Sequence, residues 1–505
     1  MYASIVSLTA FAQKETNVIK TGAGMVSGIT NTTGDVKIFK GIPFAAPPVG
    51  DLRWKAPQPM QPWNGVKKCD AFSASPMQAP PVPFSMWSEE FLIRKEPISE
   101  DCLYLNVWTS ATSSNKKLPV LVWIYGGGFT SGGSNVPIYD GETMAKKGIV
   151  FVSINYRVGI FGFFAHPDLT KESPVHASGN YGIQDQVAAL QWVQKNIAAF
   201  GGDPGNVTIA GQSAGSMSVN CLVASPLAKG LFNKAIAESG ASFINSFGST
   251  TLQQAEDGGV KTAAALNANS IDALRKMTAA ELMKAQTMRG VILDGYVLPQ
   301  SIADIFAANK ENKVALLTGW NENEGLMFGP AKKAGDFKKQ IEQQYPGNAQ
   351  TALQYYPATN DSIANISQLD LSRDMIFGVQ NYTWANVASQ QGNAVYVYRF
   401  TRKVPATGEY VKYGAFHTGE VPYAYDNLSF VNRPWEEVDH KLADVMSSYW
   451  VNFIKTGNPN SKNLPEWKAY NTKNKETMML GVTQQSRPLP DAAQLDFLYS
   501  QMKAK

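Results

Sequence analysis

Val207-Thr208-Ile209-Ala210 runs without a break into Gly211-Gln212-Ser213-Ala214-Gly215, and Ser216-Met217-Ser218-Val219-Asn220-Cys221-Leu222 follows. The β-branched run predicts a strand, the glycine-flanked pentapeptide a tight turn, and the heptapeptide the start of a helix. A strand that must turn into a helix within five residues leaves few architectures open. Glycines two positions to either side of Ser213 remove side chains that would collide in such a turn. The serine hydroxyl then projects above the strand ends, at the positive end of the helix that follows. This is a setting that suits a nucleophilic serine.

The rest of the chain repeats the strand–helix rhythm. Val120–Tyr125, Ile149–Asn155, Val314–Leu317 and Val395–Tyr398 are short runs rich in β-branched and aromatic residues, as strands covered on both faces require. Ile183, Val187, Leu190 and Ile197 share one face of a helix expected from about Gly182 to Ala199. A last helix carries Leu442, Val445, Tyr449 and Phe453 and should stop at Gly457. The alternation implies an α/β fold with a large, mostly parallel sheet. Small antiparallel strands are expected in the Gly/Pro-rich first hundred residues. Gln253–Met288 and Lys332–Asp374 look helical and peripheral. Gln78–Pro97, which contains Trp87 and several apolar residues, reads either as a lid or pocket rim or as a loop packed flat on the core.

Composition closes off several function classes. With 505 residues, 44% hydrophobic and 17% charged, the chain can bury a large core. A net charge of +4 without a dense Lys/Arg tract gives no reason to expect nucleic acid or an anionic membrane as partner. No segment approaches the ~18–20 apolar residues of a membrane span. Residues 1–12, ending in Ala10-Phe11-Ala12, look like the remnant of a signal peptide and suggest a secreted or periplasmic protein, with a cytoplasmic one as alternative. Residues 13–505 then form one domain. Cys69, Cys102 and Cys221 show no metal-binding spacing.

A nucleophilic serine attacking an acyl carbon needs donors for the developing oxyanion and a base for its own proton. Gly126-Gly127-Gly128-Phe129 follows the strand Val120–Tyr125, so the N–H groups of Gly127 and Gly128, with that of Ala214, are the candidate donors. Only four histidines are present. His440 sits in the last helix and His166 and His176 precede the serine, which leaves His417 as base if the chain order is serine, acid, histidine. The acid should follow a strand between the two, and Trp320-Asn321-Glu322-Asn323-Glu324-Gly325 offers Glu322 and Glu324. Spacing does not choose between them.

Phe200-Gly201-Gly202-Asp203-Pro204-Gly205-Asn206-Val207 continuing through Gly215 resembles the active-site signature of type-B carboxylesterases, the family of cholinesterases and bacterial para-nitrobenzyl esterases. Glu100-Asp101-Cys102-Leu103-Tyr104-Leu105-Asn106-Val107 resembles its second signature. Phe39–Ala45, Leu52-Arg53-Trp54 and Asn155–Gly159 fit as well. The resemblance, from about Val26 to the last helix, implies the α/β-hydrolase fold, Glu324 as the acid and Glu322 as a solvated residue. It further implies an Arg53–Glu100 ion pair and support of the triad from behind by Ser239. It would pair Cys102 with a cysteine near Pro76–Gln78, where none stands, and a Cys69–Cys102 bridge is left open.

The chemistry expected is hydrolysis of a small-molecule carboxylic ester through an acyl-enzyme, with no cofactor and no metal. Small to medium, aromatic-bearing esters are the primary expectation, and a feruloyl- or cinnamoyl-type esterase is the alternative. A non-catalytic adhesion protein on the same fold is the reading from another class, disfavoured by the intact set of residues. Phe129, Phe243, Phe247, Phe328 and Phe377, with Trp87, are candidate pocket residues. Oligomeric state is not legible.

Overall fold

The structure is a computed structural model that describes residues 16, 18–243, 250–285, 290–327 and 329–503. The expected leader, Phe247 and Phe328 lie outside the described residues. In chain order the strands are β1 (Ile19–Lys20), β2 (Met25–Ser27), β3 (Ile29–Thr30), β4 (Lys37–Pro43), β5 (Val66–Lys68), β6 (Ser75–Pro76), β7 (Ile98–Ser99) and β8 (Tyr104–Thr109). They continue as β9 (Leu118–Ile124), β10 (Val150–Ile154), β11 (Gly202–Gln212), β12 (Lys234–Glu238), β13 (Ala315–Asn321), β14 (Val395–Phe400), β15 (Glu476–Leu480) and β16 (Gln484–Pro488).

Eleven of these form one sheet in the order β16-β15-β14-β13-β12-β11-β9-β10-β8-β4-β3. From β10 through β9 and on to β15 every pairing is parallel, and the antiparallel pairings lie at the two margins. β10, β12, β14 and β15 are buried at every position, as expected of strands covered by helices on both faces. The strands expected from β-branched runs are all present, most of them longer than the runs themselves.

The first hundred residues are less uniform than expected. β1–β2 and β3–β4 pair antiparallel, but β2–β5 and β6–β7 pair parallel. The reason is connectivity. β5 and β7 follow long excursions rather than two-residue turns, so nothing imposes a hairpin on them.

Helices cover the sheet as the periodicities require. Tyr181–Asn196 continues through a 3₁₀ turn to Phe200, and Glu437–Thr456 ends at Gly457, whose φ of +79° closes the helix in the left-handed conformation. Gln253–Met288 and Lys332–Asp374 are largely helical where described. Two ion pairs, the first buried and the second part-buried, tie loops to this frame. The Arg157 guanidinium donates to Asp185 at 2.7 and 2.8 Å, and the backbone N–H of Arg157 donates to the same carboxylate. Arg53 and Glu100 pair at 2.6 Å, as the resemblance implied. All three cysteines are free and buried, so no Cys69–Cys102 bridge exists. Burial pushes the Cys69 thiol up to about 12, away from thiolate chemistry.

Candidate active site

Every candidate reacting group sits at the carboxyl edge of the parallel strands. Ser213 follows β11 and adopts φ +58°, ψ −124°, immediately before the helix Ala214–Ala224. A non-glycine residue holds this conformation only where its surroundings dictate it. Here they do. A Cβ on Gly211 would lie 2.5 Å from the backbone of Gly215, and one on Gly215 would lie 2.1 Å from the carbonyl oxygen of Ile124 in β9. The turn is pressed against the neighbouring strand, and only glycine fits at either position. The Ser213 N–H donates to the Glu238 carbonyl oxygen at 2.9 Å, fastening the turn to β12 as well.

The glycine loop continues β9 directly beside this turn. Gly127 has φ +106°, and a Cβ there would strike the Ser131 carbonyl oxygen at 2.3 Å. The Gly127 carbonyl oxygen instead accepts from the N–H groups of Thr130 and Ser131. The N–H groups of Gly127, Gly128 and Ala214 have no acceptor among the described residues. Gln78 holds the far end of the loop. Its side-chain amide accepts from Gly132 N–H at 2.8 Å and donates to the carbonyl oxygens of Gly132 at 2.7 Å and Pro76 at 2.8 Å.

Of the two glutamates that follow β13, Glu324 stands against the imidazole. Its Oε2 lies 2.8 Å from His417 Nδ1, and its Oε1 accepts from the Asn321 N–H at 2.8 Å. Glu324 is fully buried and His417 nearly so. Glu322 points elsewhere and is not simply solvated: it accepts from Arg399 Nε at 2.9 Å. Phe377 stacks on the His417 ring at 4.3 Å between centroids, 19° from parallel. The Gln212 amide nitrogen is 3.3 Å from Nδ1 and 3.2 Å from Nε2. An atom so nearly equidistant from both ring nitrogens would strike Cε1 if it lay in the ring plane. It therefore lies over the face opposite Phe377, and the ring is held between the two. Thr418, next in sequence, accepts from Trp87 Nε1 at 3.1 Å and donates to Gln212 Oε1 at 3.3 Å.

Gln212, Gln78 and Asn321 were not singled out from the sequence. Gln212 lies inside the nucleophile motif, so its position offered a signal. Gln78 acts across the fold and offered none, while Asn321 stands three residues before Glu324 and only its side-chain bond to Glu420 reaches across the fold. Ser239 follows β12 directly, its N–H donates to the Gly319 carbonyl oxygen of β13 at 2.9 Å, and its buried hydroxyl has no hydrogen-bond partner among the described residues.

Beneath the site lies a carboxyl cluster. Glu238 is fully buried and accepts from Tyr425 OH at 3.0 Å and Trp450 Nε1 at 2.8 Å. Burial outweighs those two donors and pushes its carboxyl up to about 7. Glu420, bonded to the Asn321 side chain, is raised by burial first and then by the Glu238 and Glu324 charges.

Ser213, His417 and the glycine loop open into a cavity of about 1370 Å³. Phe129, Phe377 and Trp87 line it, together with Met217, Leu298 and Ile302. Phe243 does not. It packs in the core against Phe306 and Trp384 at 4.8 and 6.3 Å. The Gln78–Pro97 loop is both of the things expected: Met86, Phe91 and Ile93 anchor it in the core, and Val82 and Phe84 stay exposed at the rim.

A carboxylesterase-family profile matches residues 15–498. The chain belongs to the carboxylesterase family. It is 37% identical over 476 residues to fumonisin B1 esterase of Sphingopyxis macrogoltabida, covering 89% of this chain and 84% of that one. It is 35% identical to liver carboxylesterase 1 of Oryctolagus cuniculus, covering 97% and 94% of the two chains. Among solved structures, a PNB esterase superposes with a TM-score of 0.82 at 32% identity, covering 96% of this carboxylesterase and 99% of the other chain. The fold is that of the α/β-hydrolases, and the activity is hydrolysis of carboxylic esters. No helix among the described residues is long and apolar enough to cross a membrane.

Proposed function

We propose that this carboxylesterase works through an acyl-enzyme on Ser213, with His417 as general base and Glu324 as its acid partner. The observation that carries the reading is the 2.8 Å contact between Glu324 Oε2 and His417 Nδ1. It holds the tautomer whose Nε2 is free to take the serine proton. Attack by Ser213 Oγ on the ester carbon places negative charge on the carbonyl oxygen. The N–H groups of Gly127, Gly128 and Ala214 receive it, and their lack of acceptors among the described residues supports that role. The alcohol leaves with the proton from His417, and water, activated by His417, then hydrolyses the acyl-enzyme.

Small to medium esters with an aromatic part are the substrates we favour, supported by Phe129, Phe377 and Trp87 in the cavity wall. Ser213→Ala should abolish hydrolysis of para-nitrophenyl acetate and labelling by a fluorophosphonate while the circular dichroism spectrum is retained. Turnover by the folded variant would refute the assignment. A panel that includes methyl ferulate and methyl cinnamate beside alkyl acetates tests the aromatic preference. Export is the remaining proposal, supported by the leader-like residues 1–12, and mass spectrometry of the mature N-terminus tests it.

A further inference from the structure

Exposed apolar side chains are ordinarily scattered over a protein surface. Here five of them converge on one opening. Val82, Phe84, Met327, Ile366 and Val411 are between 36% and 69% exposed, and all five line the cavity that holds Ser213 and His417. They come from four separate segments: the loop 78–97, the loop after β13, the helix Asp361–Arg373 and the 3₁₀ stretch Gly408–Tyr413. We infer that this collar is the binding site for the far arm of the ester, so that the preferred substrate carries an uncharged apolar arm reaching from Ser213 to the mouth.

Three observations support this assignment, which rests on Ser213 as the reacting residue. The apolar track from the mouth inward is continuous, since Phe84 packs on Trp87 at 4.8 Å between ring centroids and Trp87 meets His417 edge-on at 6.2 Å. The cavity, at about 1370 Å³, exceeds the roughly 300–1,000 Å³ that suits a drug-sized ligand, so a short ester fills only its inner end. The carboxylates at the mouth are already engaged: Glu322 pairs with Arg399 at 2.9 Å and Asp370 with Arg373 at 2.7 Å. The other Lys, Arg, Asp or Glu side chains lining the cavity among the described residues are Lys403 and Lys412, which are exposed. Among the described residues an alkylammonium arm therefore finds no unpaired anion there, whereas an alkyl or aryl arm finds a collar.

The test uses two ester series below their critical micelle concentrations, para-nitrophenyl esters of acids from two to twelve carbons and acetates of alcohols of the same lengths. The wild type is compared with the triple variant Val82→Ser, Phe84→Ser, Val411→Ser. In whichever series places its arm toward the mouth, wild-type kcat/KM should climb by up to about fourfold per methylene along the wall. The variant should lose tenfold or more on the longest ester while para-nitrophenyl acetate changes less than twofold. Capping the long arm with a trimethylammonium group should lower wild-type kcat/KM at least tenfold. A flat length profile in both series, or equal losses on short and long esters, overturns the inference. So does a wild-type dimer in light scattering that the triple substitution dissociates without altering the length profile, because the collar would then be covered by a second copy. Acetate turnover surviving Ser213→Ala would instead sink the catalytic reading, independently of the length ratio.

Discussion

Glu238→Gln should make the protein's stability less sensitive to alkaline pH. In the native state burial holds the Glu238 carboxyl at about 7, against 4.5 for an unperturbed group. Between those values the native protein keeps a proton that the unfolded chain has released. The stability associated with that proton is therefore complete below about pH 4.5 and is lost as pH rises through about 7. The difference corresponds to roughly 3 kcal/mol at slightly alkaline pH. Glutamine retains an oxygen to accept from Tyr425 and Trp450, and it cannot ionise. Removing the charge also relieves Glu420, whose carboxyl is raised in part by Glu238. Urea unfolding of wild type and variant at pH 5 and pH 8.5, at equal ionic strength, measures the effect. The stability of the variant relative to wild type should rise by about 2–3 kcal/mol from the lower to the higher pH. A difference between the two proteins that does not change with pH would refute the claim that Glu238 is neutral in the native state at pH 5.

Glu324→Gln should lower kcat by about 10³–10⁴ with little change in KM, because the amide no longer stabilises the imidazolium; a loss under tenfold in steady-state kinetics counts against Glu324 as the acid. Gly127→Ala forces a Cβ against the Ser131 carbonyl oxygen at a φ of +106°, so the loop must shift and kcat should fall by about 10²–10³, with parallel loss of affinity for a boronic acid inhibitor. Gln78→Ala removes the paired bonds to Gly132; a drop in kcat near tenfold is expected, again tracked by boronate affinity, and an unchanged kcat would show that the loop holds its shape unaided. Asp185→Ala leaves the buried Arg157 guanidinium without its carboxylate and should cost about 3–5 kcal/mol in urea unfolding. A change below 1 kcal/mol would mean the site admits water.

What the sequence made legible follows from how far apart the interacting residues lie. The turn around Ser213 was readable because its constraints are local: Gly211 and Gly215 flank the serine, and the strand and helix adjoin it. The central strands were readable because burial on both faces leaves apolar runs. Where a choice depended on partners far along the chain, the residues fell silent. Glu322 and Glu324 are two positions apart with equivalent local context. What separates them is that one meets His417 and the other Arg399, contacts spanning 93 and 77 residues. Phe243 and Phe377 are both aromatic residues near helices, yet one packs on Phe306 and the other on the imidazole. The antiparallel expectation for the first hundred residues held where the partner is close in sequence, for β1–β2 and β3–β4, and did not extend to β2, which also pairs in parallel with β5 about forty positions away.

This division has a physical cause that bears on how the site can vary. The candidate reacting groups each lie within a few residues of a sheet strand or in the loop that follows one. β9 precedes the glycine loop, β11 precedes Ser213, β13 precedes Glu324 and β14 precedes the loop bearing His417. Together with β12 these strands lie side by side in parallel pairing, and toward the site, from Val207 to Gly211, β11 keeps an unbroken register with β9, so a change in one group's position would have to displace the sheet. The collar at the mouth has no such lock. Val82 and Val411 sit more than three hundred residues apart, in a loop and a 3₁₀ stretch, and neither belongs to the sheet. Substitution there alters surface that is already exposed and costs little stability, as is usual for surface positions. The candidate reacting groups are therefore constrained by the sheet while the arm proposed to bind at the collar would be set by residues free to change, and long-ester selectivity should be alterable there with the chemistry proposed for Ser213 left intact.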